Sequence, residues 1–427
     1  LAGLGAFASA TQDIVIDAWR VDVADEKATL EILSTVYQLG YRIAALAGGA
    51  LALIMAGRIG WPTVYLIFGI AMLVPLGASL LAPDTPRPQE RAVTMVPSGE
   101  LNLKVRFGAM ALVGMSWTWA MVTVIVFMVQ SLGADPADRP DSAAFTRTMG
   151  PIIVIATVIL PAIIAATLNH WRATGRHVAR GDEPVRAAGG QFVQHAYNAL
   201  LLPLAEIIGR LGWASILALA IILSYRFTDS VWGPFALPFY LQELHYSNDE
   251  VAIASKFFGV GMTMAGIALS AVCFATLGRM ATLILGALTA ALSNLLYADL
   301  ALGGAGLDLF GRYSGFQALA GLFGADERFS RLLLAIAGEN LAGGLAGAAF
   351  VAYLSTITSR QHSAVQYALL SSLTFLIGAL GRGALGGMIE TQGYARVFFF
   401  TTGLGMIAVL LCLIEAIRAR RGAQTGG

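Results

Sequence analysis

Apolar runs of about 20 residues, long enough to cross a bilayer, recur eleven times along this chain, each set off by a short polar break. They cover residues 1–18, 30–57, 61–81, 107–132 and 150–168, then 213–241, 250–277, 280–302, 329–358, 364–389 and 397–417. Each run predicts a membrane-spanning helix. The expected fold class is therefore all-α, a polytopic helical bundle with about eleven transmembrane helices. Some runs are longer than a bilayer requires, which implies tilt or protrusion and fixes no angle.

Composition agrees with the pattern. Of the 427 residues 57% are hydrophobic and only 12% charged, far below the roughly 25% charged residues of soluble domains, and the mean hydropathy is +0.71. A net charge of +1 argues against nucleic acid as a partner, because duplex binding needs clustered basic surface. The lipid bilayer is the partner the composition demands. No residue pattern fixes an oligomeric state, and a monomer is the expectation.

Two longer loops divide the runs. Residues 83–106 are proline-rich. Residues 169–212 join a basic run, 170–186, to a segment in which Phe192, Val193, Tyr197, Leu200, Leu201, Leu204, Ile207, Ile208 and Leu211 recur at helical spacing. That spacing predicts an amphipathic helix, either lying on the inner membrane face or packed within a solvated linker. If the loop around Asp22 is cytoplasmic, sixteen Lys and Arg fall on that side, seven on the other and four inside spans. The positive-inside rule then places the C-terminus in the cytoplasm.

Charged residues inside spans carry the chemistry. A charge at mid-membrane costs roughly 2.5–3.5 kcal/mol even on insertion scales, so it must face a partner or a wet cavity. Asp13, Asp17, Arg42, Arg226, Asp229, Lys256, Glu339 and Arg382 are in that position. Four acids and four bases predict a polar cavity inside the bundle and suit a proton-coupled carrier for an anionic solute.

Asp13 and Asp17 share one helical face; two carboxylates so close do not both ionise cheaply, which suits a proton relay. The alternative is an acid pair neutralised by Arg42 or Arg20. Arg226 and Asp229 either pair with each other or serve transport, and Glu339 either relays protons or bonds a neighbouring helix. Converging, Arg42, Lys256 and Arg382 would form an anion clamp; apart, each would be the structural partner of an acid.

Other chemistries lack their motifs. There is no phosphate-binding loop of the G-x-x-x-x-G-K-[ST] type and no H-E-x-x-H, and the five histidines fall in loops or at span edges. No cofactor or metal is expected. Cys273 and Cys412 lie in apolar runs and read as packing residues. Gly343 with Gly347, Gly383 with Gly387, and the group Gly259, Gly261 and Gly266 predict close helix approach.

The stretch Ala10-Thr-Gln-Asp-Ile-Val-Ile-Asp-Ala-Trp19, followed by Gly40-Tyr-Arg42, resembles the fourth and fifth helices of the AmpG muropeptide permeases, a branch of the major facilitator superfamily. Tyr225-Arg-Phe-Thr-Asp229, Ser255-Lys256, Glu339-Asn-Leu-Ala-Gly-Gly344, Ser363-Ala-Val-Gln-Tyr-Ala-Leu-Leu-Ser371 and Gly381-Arg382 extend the likeness. The resemblance implies import of anhydro-muropeptides across the bacterial inner membrane, driven by protons, for cell-wall recycling. Substrates of that kind, with peptide carboxylates and sugar hydroxyls, suit Arg42, Lys256 and Arg382 alongside Arg226, Gln12, Asn340 and Gln366. Proton coupling would rest on Asp13, Asp17, Asp229 and Glu339.

The resemblance implies three helices before the one that carries Gln12, and on that pattern the chain is expected to be N-terminally truncated. The expected domains are 1–82, the remainder of an N-terminal bundle; 83–106, a cytoplasmic loop; 107–168, two inserted helices; 169–212, the linker; 213–417, a six-helix bundle; and 418–427, a cytoplasmic tail. Residues 303–328 form a long outer loop rich in Leu and Phe, of no assigned role. Alternatives are a carrier of an acyl-coenzyme A compound, a drug exporter, or a scramblase or membrane enzyme. An enzyme would need a nucleophile and a base at one membrane depth, an arrangement the sequence does not show.

Overall fold

The computed structural model describes residues 2–83, 95–96, 99–133, 139–181, 183–184, 188–359 and 362–425; within them the side chains of some helical residues, Asp229 and Arg382 among them, lie outside the described set. Most of the proline-rich loop expected over 83–106 also lies outside it. The protein is an all-α polytopic membrane bundle. The eleven expected spans are helical where described, but several helices run well past the expected bounds, as Ala2–Val23 does against 1–18 and Tyr394–Thr425 against 397–417. Among the described residues seven helices are long and apolar enough to cross a membrane, or eight if one bent pair counts as a single span. The helices Ala2–Val23 and Leu30–Leu46, which carry Gln12, Asp13, Asp17 and Arg42, are outside that set.

The chain divides into two compact units. One comprises residues 1–18, 87–223 and 357–387. It contains most of α1 (Ala2–Val23). Between residues 87 and 223 it holds α6 (Leu103–Gly133), α7 (Ser142–Val154), α8 (Leu160–Ala173), α9 (Ala188–Ala196), α10 (Leu202–Leu211) and most of α11 (Ala214–Tyr225). Leu101, Ala109, Val113, Leu168, Tyr197 and Leu201 form its buried cluster, joining α6 and α8 to the segment before α10.

Prolines shape these helices. Pro161 and Pro203 each stand at the start of a helix, just after a wide π turn, Ile155–Ile159 and Tyr197–Leu201. A proline has no N–H to give the carbonyl four residues back; for Pro161 that is Thr157, whose carbonyl oxygen accepts the Trp117 indole N–H at 3.3 Å. Of the nine residues on the apolar face predicted over 192–211, Tyr197, Leu201 and Ile207 are buried and α10 packs on α8, whereas Phe192 is exposed. At Gly212 the backbone takes φ +57° and ψ −134°, a conformation closed to side-chain-bearing residues, and the chain turns 112° into α11. A two-residue antiparallel pairing, Met95–Val96 with Glu183–Pro184, lies beside this unit's helices in sequence.

The other unit comprises residues 19–86, 224–356 and 388–427. Its first part holds α2 (Leu30–Leu46), capped by the Thr29 hydroxyl, then α3 (Ala52–Ile59), α4 (Trp61–Ala71) and α5 (Leu73–Leu81). Next come α12 (Phe227–Pro238), α13 (Asn248–Ala252), α14 (Gly259–Leu277) and α15 (Arg279–Ala301). The expected outer loop contains two short helices, α16 (Ala305–Tyr313) and α17 (Phe316–Gly321), and the Asp299 carboxylate accepts the backbone N–H groups of Gly306 and Leu307 at the start of α16. The long helices α18 (Glu327–Ile357) and α20 (Tyr394–Thr425) complete it. Between them in sequence runs α19 (Ser363–Gln392), most of which belongs to the first unit.

Small residues set the helix spacing in this second unit. A Cβ at Gly266 would collide with the Leu341 backbone and one at Gly344 with that of Thr263, so α14 and α18 touch main chain to main chain. Gly343 and Gly347, the pair the sequence spacing favoured, have nothing within 4 Å of a built Cβ; the register that matters is one residue later. A Cβ at Gly405 would meet that of Ala291 at 2.6 Å, which brings α15 and α20 together. Cys273 and Cys412 are free thiols buried in α14 and α20, the packing role their apolar runs predict.

Candidate functional site

Glu339 lies in the middle of α18, where its carboxylate is held by side chains from other helices of the same unit. Tyr297 on α15 donates its hydroxyl hydrogen to Glu339 Oε2 at 2.7 Å. The Tyr240 and Tyr297 hydroxyls are 2.8 Å apart. With the single Tyr297 hydrogen committed to the carboxylate, Tyr240 is the donor of that pair.

Asn340, the next residue on α18, extends the network. Its Nδ2 donates to the Ile336 carbonyl at 3.0 Å and to Glu339 Oε2 at 3.3 Å. Its Oδ1 accepts from the Thr263 hydroxyl of α14 at 2.9 Å. That bond depends on the close approach at Gly266 and Gly344, since a wider separation of α14 from α18 would take the threonine out of reach.

The network is nearly dry. Tyr297 is 1% exposed and Tyr240 4%. Phe239 and Phe398 pack on the Tyr297 ring, at centroid distances of 6.2 and 5.4 Å. In such surroundings the hydrogen bonds are electrostatically strong, and leaving any member unpaired is costly. The arrangement is a continuous file of exchangeable protons, Tyr240 to Tyr297 to Glu339, ending at a half-buried carboxylate.

The other expected residues fall as follows. Lys256 is exposed and sits in a π turn, Ile253–Phe258, just before α14; the same widened stretch leads to Gly259, whose built Cβ would be 3.3 Å from Asn340 Nδ2. Arg42 is half-buried on α2, its guanidinium 5.9 Å from the Tyr41 ring centroid. Arg226 is half-buried at the break between α11 and α12. Beside it Tyr225 donates to the Leu283 carbonyl at 2.9 Å and stacks on Phe350 at 5.0 Å.

In the first unit, Gln12 and Asp13 are exposed on α1 while Asp17, one turn on, is buried. Gln366 on α19 is fully buried and committed to local bonds: its Nε2 donates to the Pro203 carbonyl at 2.9 Å and to Glu206 Oε2 at 2.6 Å, and its Oε1 accepts from Ser359 N at 2.7 Å. The side chains of Asp229 and Arg382 lie outside the described residues.

Glu339 and Asn340 are thus joined in one network with three residues the sequence reading passed over: Tyr240, Tyr297 and Thr263. A signal was present. Tyr297 and Thr263 are polar residues in the interiors of apolar runs, though neither carries a formal charge.

No family model matches the chain. It is 23% identical over 420 residues, 96% of its length, to the anhydromuropeptide permease of Escherichia coli strain K12. It is 26% identical over 192 residues to the putative transporter AmpG 4 of Rickettsia conorii, covering 45% of this chain and 41% of that protein. A stretch of 60 residues is 43% identical to the putative transporter AmpG 3 of Rickettsia typhi, 14% of each chain. The chain spans 59% of the length of the Escherichia coli relative, less than two thirds of the curated relatives it matches. By sequence, across nearly its whole length, this chain is similar to an AmpG-type permease.

Proposed function

We propose that this chain works in a proton-coupled secondary transporter of the major facilitator type, which imports anhydro-muropeptides across the bacterial inner membrane. The observation that carries the reading is the buried file Tyr240–Tyr297–Glu339. A carboxylate reached by two buried phenols is a site where a proton can be taken up and released in step with a change of helix packing. The substrate comes from the name of the Escherichia coli relative, an anhydromuropeptide permease.

In this proposal Asp13, Asp17, Asp229 and Glu339 couple protons. Gln12, Arg42, Arg226, Lys256, Asn340 and Arg382 bind the anionic, hydroxyl-rich solute. Gln366 would join them only by exchanging the bonds it now makes to Pro203, Glu206 and Ser359. The excess of Lys and Arg on one side of the spans supports a cytoplasmic C-terminus.

The test is uptake of labelled anhydro-muropeptide into vesicles holding the protein, with and without a collapsed pH gradient. The proposal requires accumulation that ends when the gradient is collapsed. Gradient-independent equilibration would remove proton coupling, and no uptake of this substrate would remove the substrate assignment. An Asp229→Asn variant that still accumulates substrate at the full rate would take that residue out of the mechanism, and normal uptake at low substrate by Arg382→Ala would take Arg382 out of the clamp.

A further inference from the structure

A polar cavity of about 460 Å³ opens where α6, α8 and the segment leading into α10 meet, in the unit that lacks the Glu339 network. We propose that it binds a phosphate ester bearing a free hydroxyl, a glycerophosphate-type group. The inference is independent of the transport reading.

Charge comes first. Glu100 stands between two guanidinium groups, with Arg172 at 2.6 Å and Arg106 at 3.4 Å. Glu100 is thus shared between two guanidinium groups, and the cavity's other acid, Glu206, is matched by Arg210 at 2.9 Å. Arg106 is 5% exposed and held rigidly: its Nε donates to the Leu101 carbonyl at 2.8 Å, and its guanidinium lies 4.9 Å from the Tyr197 ring centroid. A buried, preoriented guanidinium beside a second one is the geometry that takes phosphate oxygens in paired hydrogen bonds.

The hydroxyl follows from Gln194. This side chain is 1% exposed and lines the cavity. Its Nε2 donates to Asn198 Oδ1 at 3.0 Å, while its Oε1 is buried without a hydrogen-bond partner. A buried acceptor left unmade is costly, and a ligand hydroxyl donating into the cavity satisfies it. A group with phosphate oxygens at one end and an O–H at the other fills both requirements, and the volume lies within the range of small-ligand sites.

Two sources supply this chemistry: a soluble glycerophosphate or the headgroup of an anionic phospholipid. Basic pockets between membrane helices at the bilayer edge take such headgroups. An apolar cavity of about 700 Å³ lies further along the same α6 and α8, lined by Val113, Trp117 and Ile163 among others.

The full chain, purified in uncharged detergent, is titrated with glycerol 3-phosphate by calorimetry. In parallel it is placed in nanodiscs of phosphatidylcholine with and without phosphatidylglycerol, and the retained lipid is read by native mass spectrometry. Arg172 is half-exposed, so Arg172→Ala keeps the fold; Gln194→Leu removes an unsatisfied buried oxygen and should raise the melting temperature of the empty protein. Both variants should weaken binding about tenfold or more. Glu100→Gln, which frees two guanidinium groups, should tighten it, an outcome a merely structural carboxylate would not give. That pattern with glycerol 3-phosphate establishes a soluble ligand, and with phosphatidylglycerol over phosphatidylcholine a lipid. Binding of neither probe, or binding that these variants leave unchanged, overturns the proposal.

Discussion

Tyr246 and Arg328 are locked together in both directions: the Tyr246 hydroxyl donates to the Arg328 carbonyl at 2.8 Å, and the Arg328 guanidinium lies 4.2 Å from the Tyr246 ring centroid. The guanidinium also donates to the Leu244 carbonyl at 2.8 Å, so the turn before α13 is tied to the start of α18.

This clasp predicts an alkaline limit to stability. Burial pushes the Tyr246 hydroxyl from 10.0 up to about 12, against the smaller opposing pull of Arg328 and Arg331. The folded state therefore holds the proton more tightly than the unfolded chain. Stabilisation from this group is complete below pH 10 and is lost as the pH rises towards 12. Melting of the detergent-solubilised protein from pH 9 to 12 should show that fall, and Tyr246→Phe should flatten it while lowering stability at pH 8 by about 1 kcal/mol.

Tyr297→Phe should destabilise the protein by about 1.5–3 kcal/mol, the range for a buried hydrogen bond to a charged group. If the cost arises at Glu339, it shrinks when Glu339→Gln is already present. A double-mutant cycle on denaturant midpoints measures this coupling. Additive single effects would show that the phenol acts through packing alone. In transport assays Tyr297→Phe should slow gradient-driven uptake more than Tyr240→Phe, which leaves the bond nearest the carboxylate intact.

Gly344→Ala and Gly343→Ala differ by one residue and should differ in outcome. The first forces a methyl group against the Thr263 backbone and should cost about 1–3 kcal/mol. The second meets nothing within 4 Å and should stay within about 0.5 kcal/mol of the parent. Thermal melts of the two variants decide the matter.

These contrasts mark how far the sequence could be read. Helical spans were legible because the bilayer imposes long apolar runs, and Glu339 was legible because a formal charge in such a run has few explanations. Its partners were not. Tyr297 can reach Glu339 only through the register of α15 against α18, which no single sequence records. The glycine pattern failed at Gly343 for the same reason: spacing along one helix says that some face is smooth, while the choice of Gly344 depends on which neighbour lies against it. Gln366 looked like a ligand-binding amide, and only the positions of Pro203, Glu206 and Ser359 reveal how fully it is engaged.

Contact between the main chains at Gly266 and Gly344 has a mechanical corollary. Two helices seated so tightly cannot slide or rotate past one another without collision, so α14 and α18 must travel as a single stiff beam, with Thr263 and Asn340 riding on it as a fixed rivet. Any rearrangement that exposes Glu339 to a new aqueous face has to be hinged outside this beam; the widened turns Phe239–Glu243 and Ile253–Phe258 precede α13 and α14 in the chain.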